Sequence, residues 1–317
     1  MKYRQVGKSG LRISELGLGS WITYGSALDE NSSEKCIQTA YELGINFFDT
    51  ANMYGFGSAE EVLGKALSAY PRESYVLATK VYAPMGDGPN DRGLSRKHII
   101  EQCNASLRRL GTEYIDLYQF HKYDDSVPLE ESLWAINDLI SQGKVLYYGV
   151  SQWSAVQIID ALRICEKNHF RKPISDQPRY NMLERDIEEE IGPVCEREGL
   201  GLVVFSPLAQ GLLTGKYRLG KEFTRGSRAT TEEGKGFILK ILTNENLTKV
   251  EKLNSIAEKL EMSLSQLALA WILRLPVISS AIIGASRPEQ INENLKSLDV
   301  KLADEIFKEI DDVLKSN

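Results

Sequence analysis

Four side chains in the first part of the chain have the types needed to move a proton at neutral pH: Asp49, Tyr54, Lys80 and His121. A free phenol, with a pKa of about 10, is a sluggish acid there. An ammonium beside it favours the phenolate and lowers that value. A carboxylate beside the ammonium holds it charged and in place, and an imidazole on the other side of the phenol can orient a carbonyl or share the proton. Such a set is a proton donor and acceptor facing a C–O group. Proton delivery to a carbonyl oxygen is half of a carbonyl reduction; the other half needs a hydride, which side chains do not supply and a nicotinamide does. Taken singly, each residue has an ordinary role: a turn aspartate, a packing tyrosine, a solvated lysine, a structural histidine. The chemistry requires a scaffold that brings them to one place.

The scaffold is legible as alternation. Short apolar or β-branched runs recur, separated by longer segments of helical period. After an N-terminal hairpin (Tyr3-Arg4-Gln5-Val6, a Gly7-Lys8-Ser9-Gly10 turn, Leu11-Arg12-Ile13), eight strands are expected. They are Leu16-Gly17-Leu18, Asn46-Phe47-Phe48-Asp49, residues 75–80, 115–120 and 145–150, Ile174-Ser175-Asp176-Gln177, Leu202-Val203-Val204-Phe205, and residues 278–283. Apolar residues at helical spacing predict helices over 33–43, 95–110, 129–140, 155–165, 188–198, 264–273 and 289–298. Eight strands alternating with helices imply parallel strands joined by crossovers, hence an α/β fold of the (β/α)8 TIM barrel type, with a doubly wound open sheet as the alternative. The whole chain, 1–317, is expected to be one such domain. Residues 215–246 break the period with Gly, Lys, Arg and Thr and form a long loop after strand seven, of the kind that is often functional. Residues 301–314 read as an amphipathic helix outside the barrel.

In this architecture the working residues stand at the C-terminal strand ends. Strand two ends in Asp49, with Tyr54 in its loop; strand three ends in Lys80 and strand four in His121. The later strands end in Ser151-Gln152, Gln177, Ser206-Pro207-Leu208 and Gly284-Ala285-Ser286-Arg287. The four titratable candidates therefore converge on one mouth. Trp21, Tyr24, Tyr82 and Tyr123, in nearby loops, could form aromatic walls for a substrate or be ordinary packing.

Composition narrows the partners. The 317 residues are 42% hydrophobic, which fills a large core, and 38 basic against 44 acidic residues leave a net charge of −6. A mildly acidic chain without a basic run is poorly suited to a phosphate backbone, so no nucleic acid partner is expected. No apolar run is long enough to insert into a membrane. Met1-Lys2-Tyr3-Arg4-Gln5 leads straight into polar residues, and Cys36, Cys103, Cys165 and Cys195 are far apart. No signal peptide, a cytoplasmic location and lone reduced thiols are expected, with neither disulfide nor metal site. Gly17-Leu18-Gly19-Ser20-Trp21-Ile22 lacks the third glycine of a dinucleotide fingerprint, and Gly211-Leu212-Leu213-Thr214-Gly215-Lys216-Tyr217 is no P-loop. Any nucleotide must be held by other means.

These residues match a known pattern. Phe47-Phe48-Asp49-Thr50-Ala51-x-x-Tyr54-Gly55, followed by Glu60-x-x-Leu63-Gly64, resembles the aldo-keto reductase signature. Thr79-Lys80 and Gln119-Phe120-His121 fall where that family has its lysine and histidine, and the run from Ile283 to Asn294 resembles its C-terminal nucleotide motif. Leu16-Gly17-Leu18-Gly19-Ser20-Trp21, Arg92-Gly93-Leu94-Ser95-Arg96-Lys97 and Ser206-Pro207-Leu208-Ala209 are similar to the branch of voltage-gated potassium channel β subunits and their bacterial relatives. The resemblance runs from Ser9 to Leu298.

It implies NADP(H)-dependent reduction of aldehydes and ketones, a small carbonyl substrate, Tyr54 as proton donor, Lys80 and Asp49 as its tuning pair, and His121 orienting the carbonyl. Ser20 and Trp21 would border the cofactor, and Ser151, Gln152 and Gln177 would hold the nicotinamide amide. Phe205, Ser206, Pro207, Leu208 and Gly211 would line the ring and pyrophosphate, with Lys216 and Arg228 closing the long loop over the phosphates. Gly284, Ser286, Arg287, Gln290 and Asn294 would hold the adenosine end, where a guanidinium suits a 2′-phosphate dianion. Two departures stand out: Gln152 replaces the family's usual Asn, and His121 is present where mammalian channel subunits lack a histidine. The branch also leaves open a nicotinamide-sensing channel accessory protein with little catalysis, and a homo-oligomer.

Overall fold

The computed structural model describes residues 1–223 and 227–315. Two antiparallel strands, β1 (Tyr3–Gln5) and β2 (Arg12–Ser14), pair in the register Tyr3 opposite Ser14. Eight further strands form a closed, all-parallel barrel: β3 (Leu16–Gly19), β4 (Phe47–Asp49), β5 (Val76–Val81), β6 (Ile115–Phe120), β7 (Val145–Ser151), β8 (Ser175–Gln177), β9 (Gly201–Val204) and β10 (Ile278–Ile283), with β10 closing on β3. The expected (β/α)8 barrel with its hairpin is thus the observed fold.

The helices are α1 (Glu30–Glu42), α2 (Ser58–Leu67), α3 (Arg96–Leu110), α4 (Leu129–Ser141), α5 (Ala155–Asn168), α6 (Ile191–Glu198), α7 (Glu232–Ile238), α8 (Asn244–Lys259), α9 (Leu264–Ile272), α10 (Pro288–Leu295) and α11 (Asp304–Lys315). Side-chain caps start several of them. Ser95 accepts the His98 N–H, and Ser154–Gln157 and Ser263–Gln266 form reciprocal capping boxes. Among the described residues, no helix is long and apolar enough to cross a membrane. The four cysteines are free and buried.

Alternation along each strand sorts side chains between two cores. Inside the barrel, Phe47, Val76, Ala78, Leu117, Val203 and Ile282 pack together, and the hairpin contributes Val6 and Ile13 to the same cluster. The opposite face of each strand packs under the helices, as with Phe48, Leu77, Val81, Tyr118 and Phe120. Gly17 and Gly19 leave room for this filling: a Cβ on either would lie 2.5 Å from Phe47 or Ile282. Because the side-chain period is two, the inward series Phe47–Asp49, Val76–Ala78–Lys80, Leu117–Gln119–His121 and Ser175–Gln177 ends in polar groups at one mouth. That period carries the site.

The long segment after β9 departs from a plain loop. It begins with a tight turn over Ala209–Thr214, contains α7, and has Ile238 wholly buried; α8 starts at Asn244, inside the stretch the composition assigns to the loop. Phe237 sets the edge of its ring against Trp21, with centroids 4.8 Å apart, and the Arg228 guanidinium carbon lies 5.6 Å from the Trp21 ring. The segment therefore packs against the loop after β3, beside the barrel mouth. Tyr24, offered as an aromatic wall, is instead a core residue, 1% exposed, with its hydroxyl donating to Ala285 O at 3.1 Å. Tyr123 packs edge-on against buried Trp153, with centroids 4.9 Å apart.

Candidate active site

Asp49, at the end of β4, and Lys80, near the end of β5, meet inside the barrel. Lys80 is fully buried; its ammonium lies 2.5 Å from Asp49 Oδ2 and donates to Thr50 O at 2.8 Å. The other carboxylate oxygen, Oδ1, accepts from Gln177 Nε2 at 2.8 Å and from Gln119 Nε2 at 3.2 Å. A buried ion pair needs its remaining polar valences met, and these two amides meet them. Burial alone would discharge Lys80, but Asp49 and then Tyr54 outweigh it and hold the ammonium above its ordinary pKa.

Tyr54 follows β4 in a short turn. Its hydroxyl lies 3.4 Å from Lys80 Nζ. Its ring meets His121 edge-on, with centroids 5.8 Å apart. The sequence reading, in which the ammonium lowers the phenol, is only part of the outcome. Desolvation is the larger effect and Asp49 adds to it, so Tyr54 is raised above its ordinary value although Lys80 pulls it down. The phenol therefore keeps its proton at neutral pH, and the ammonium stands where it stabilises the phenolate once that proton leaves.

The imidazole of His121 is tuned by its surroundings as well. Its Nδ1 is buried without a hydrogen-bond partner. Its pKa is lowered to about 3, by burial first and then by Lys80 and Lys122. The imidazole is neutral at pH 7, a polar group rather than a charge. A folded-state value below the unfolded one means that the unfolded chain binds the extra proton, so stability falls as pH drops from about 6.5 toward about 3. His121→Asn should narrow the gap between melting temperatures at pH 7.5 and pH 4.5; an unchanged gap would contradict the neutral, desolvated imidazole.

The remaining sequence candidates divide by place. Ser151 Oγ donates to Gln177 O at 2.8 Å, and Gln152 N donates to the same carbonyl at 3.3 Å. Gln152 is exposed at the mouth, with φ +58°. Gln177 has its amide nitrogen committed to Asp49. Ser20 is buried and hydrogen-bonds Thr50 Oγ1 at 2.8 Å, linking the ends of β3 and β4; Trp21, next to it, faces Phe237. Phe205, Ser206, Pro207 and Leu208 lead from β9 into a turn with left-handed backbone at Ser206, Ala209, Gln210 and Gly211. A Cβ on Gly211 would sit 3.0 Å from Lys216 Nζ.

Arg228 donates to Gln210 Oε1, and a Cβ on Gly284 would lie 3.7 Å from Arg228 Nη2, so the long segment after β9, a strap across the mouth, meets the end of β10. Ser286 N donates to Gln290 Oε1 at 2.8 Å, Arg287 is exposed at the start of α10, and Asn294 is buried farther along it. Lys216 is lowered by desolvation and then by Arg228 and Arg287. Among the described residues, no carboxylate pairs with any of these three cations. Beside them, Tyr217 OH and Ser227 Oγ are buried without partners. Among the described residues, three cations without a carboxylate partner and two orphaned hydroxyls fit a polyanionic ligand such as a dinucleotide phosphate.

Thr50 joins the site without being a sequence candidate, and so does Gln119, although both stand in the motifs given above. The position of Gln119 two residues before His121 on an inward-facing strand was the available signal.

Comparison with known proteins agrees with this geometry. The aldo/keto reductase family model matches residues 15–315. A Schizosaccharomyces pombe protein is 44% identical, covering 98% of this chain and 93% of its own length. Proteins of Oryza sativa and Arabidopsis thaliana are each 41% identical, covering 100% of this chain and 97% of theirs. All three carry, provisionally, the name voltage-gated potassium channel subunit beta. With the closed barrel, the mouth-facing charged set and a match over nearly its full length, the chain belongs to the aldo/keto reductase family, a family of oxidoreductases.

Proposed function

We propose that the chain, as one domain over residues 1–317, reduces aldehydes and ketones to alcohols with NADPH, and that Tyr54 delivers the proton. The observation that carries this reading is the chain from the half-buried Tyr54 to buried Lys80 and Asp49, with 3.4 Å from phenol to ammonium and 2.5 Å from ammonium to carboxylate. A bound dihydronicotinamide would supply the hydride to the carbonyl carbon. Tyr54 holds a proton for the carbonyl oxygen; as it leaves, Lys80 stabilises the phenolate and Asp49 keeps Lys80 charged. Neutral His121 offers a hydrogen bond to the same oxygen and orients it. Ser151 and Gln152 border the ring end. Lys216, Arg228 and Arg287, with Ser286, Gln290 and Asn294, would bind the phosphates and adenosine.

The test is spectrophotometric. Protein mixed with NADPH and 4-nitrobenzaldehyde should consume cofactor and yield the alcohol in equal amounts; no consumption over a range of aldehydes would overturn the reading. Arg287→Ala should weaken NADPH binding, followed by cofactor fluorescence, by about ten- to a hundredfold and NADH only a few-fold. Equal losses would contradict a 2′-phosphate at Arg287.

The names of the three relatives favour a second reading, a nicotinamide-responsive partner of a potassium channel. Stoichiometric association with a potassium-channel cytoplasmic domain, together with absent turnover, would promote it.

A further inference from the structure

The turn that aims Tyr54 is an unlikely conformation for its sequence. Gly55, Phe56 and Gly57 have φ values of +56°, +51° and +99°. Three consecutive left-handed residues, one of them an aromatic, need support from their surroundings. Phe56 gives none through packing, being 80% exposed.

The support comes from behind. Glu60, in the first turn of α2, is completely buried. Its Oε1 accepts from Thr79 Oγ1 at 2.6 Å, and its Oε2 accepts from Arg109 Nε at 2.6 Å. Thr79 is the outward-facing neighbour of Lys80 on β5, and Arg109 lies near the C-terminal end of α3. The Arg109 side chain runs under Gly57: a Cβ built there would lie 2.5 Å from Arg109 Cδ and 2.7 Å from Nε. Ser58 closes the other side by donating to Gly25 O at 2.7 Å and Gly55 O at 2.8 Å. Farther along α2, Gly64 lets the helix rest against the Leu110 backbone, where a Cβ would meet Leu110 O at 2.4 Å.

We propose that the Glu60–Arg109 pair, with its carboxylate wholly buried and tied to β5 through Thr79, is a positioning device for the Tyr54 phenol. It anchors α2 to the strand that carries Lys80 and wedges the strained turn from beneath, so that phenol and ammonium are set from opposite faces of one strand. Neither residue touches the reacting atoms. This inference rests on the proposed role of Tyr54 and refines it. Burying an ion pair is a weak source of stability; positional specificity is what this pair provides.

Gly57→Ala, Arg109→Lys and the double variant Glu60→Gln/Arg109→Met test it. Gly57→Ala displaces Arg109 without removing a charge and keeps the question open to measurement if the double variant fails to fold. The readouts are the titration of Tyr54, followed by 13Cζ-tyrosine NMR of the ligand-free protein and assigned with Tyr54→Phe, and the separate values of kcat and KM. In folded variants the Tyr54 midpoint should move up by about one pH unit as the phenol loses its ammonium neighbour. kcat should fall about ten- to a hundredfold, while aldehyde KM and NADPH affinity stay within about threefold of wild type. Arg109→Lys, which keeps the charge opposite Glu60, should recover part of both. An unmoved Tyr54 midpoint with wild-type kcat in folded Gly57→Ala and the folded double variant would overturn the proposal. Should wild type itself prove inactive on every carbonyl, the reductase reading fails; the NMR titration still decides the positioning role, since it needs no substrate.

Discussion

Lys80→Met is expected to lower turnover about a thousandfold or more while NADPH affinity stays within a few-fold. The ammonium is fully buried, and its neighbours are Asp49, the Thr50 carbonyl and the Tyr54 hydroxyl rather than the cations that would hold phosphates. Its loss therefore falls on the proton. Without it the phenolate that forms when Tyr54 gives up its proton has only desolvation and the Asp49 carboxylate around it, both of which disfavour it. The substitution has a second consequence. Asp49 is left among Gln119 and Gln177 with its principal partner gone, and breaking a buried pair from one side costs about 3–5 kcal/mol. Lys80→Met/Asp49→Asn should recover much of that stability and none of the turnover. If the double variant regains both, the loss in Lys80→Met reflects folding and not the proton. Steady-state rates, cofactor fluorescence and thermal melting on the two variants separate these outcomes.

Much of this site was legible before the structure, for a simple reason. Strand alternation is a strict period, so residues two apart from an inward-facing apolar side chain must themselves face inward. Ala78 implies Lys80, Phe47 implies Asp49, and Leu117 implies Gln119 and His121. The β6 and β10 runs, Ile115–Phe120 and Ile278–Ile283, are continuous enough to bound the strands correctly. Helix α2 was not read as a helix, although Ala59, Leu63, Ala66 and Leu67 lie on one buried stripe. Its start has no side-chain cap: Gly57 stands there in the left-handed region. The same turn supplies Arg109's seat, a contact between residues far apart in sequence that no local pattern encodes. The strap was misjudged for a related reason. Polar composition hid α7 and the first turn of α8, whose buried faces depend on Ile238 and Leu247 meeting the barrel's flank. The sign of the Tyr54 shift was beyond spacing as well, because the amount of water removed from the phenol depends on the assembled mouth. The strap's residues 224–226 lie outside the described residues.

The phenol carries the central claim, and removing one oxygen atom isolates it. Tyr54→Phe keeps the ring, its edge contact with His121 and the packing around Lys80, and deletes only the group that holds the proton. The effect should be large, about a hundred- to ten-thousandfold, because no other described acid within reach of Lys80 can replace it: both Asp49 oxygens are engaged by the Lys80, Gln119 and Gln177 donors, and His121 is neutral with a depressed affinity for a proton. The decisive measurement is the decay of cofactor absorbance when NADPH-loaded protein is mixed rapidly with 4-nitrobenzaldehyde, compared between wild type and Tyr54→Phe at equal cofactor occupancy. Wild type should consume its bound NADPH in a fast phase, and Tyr54→Phe should lose that phase while binding NADPH as wild type does; equal rates in the two proteins would contradict a proton from Tyr54.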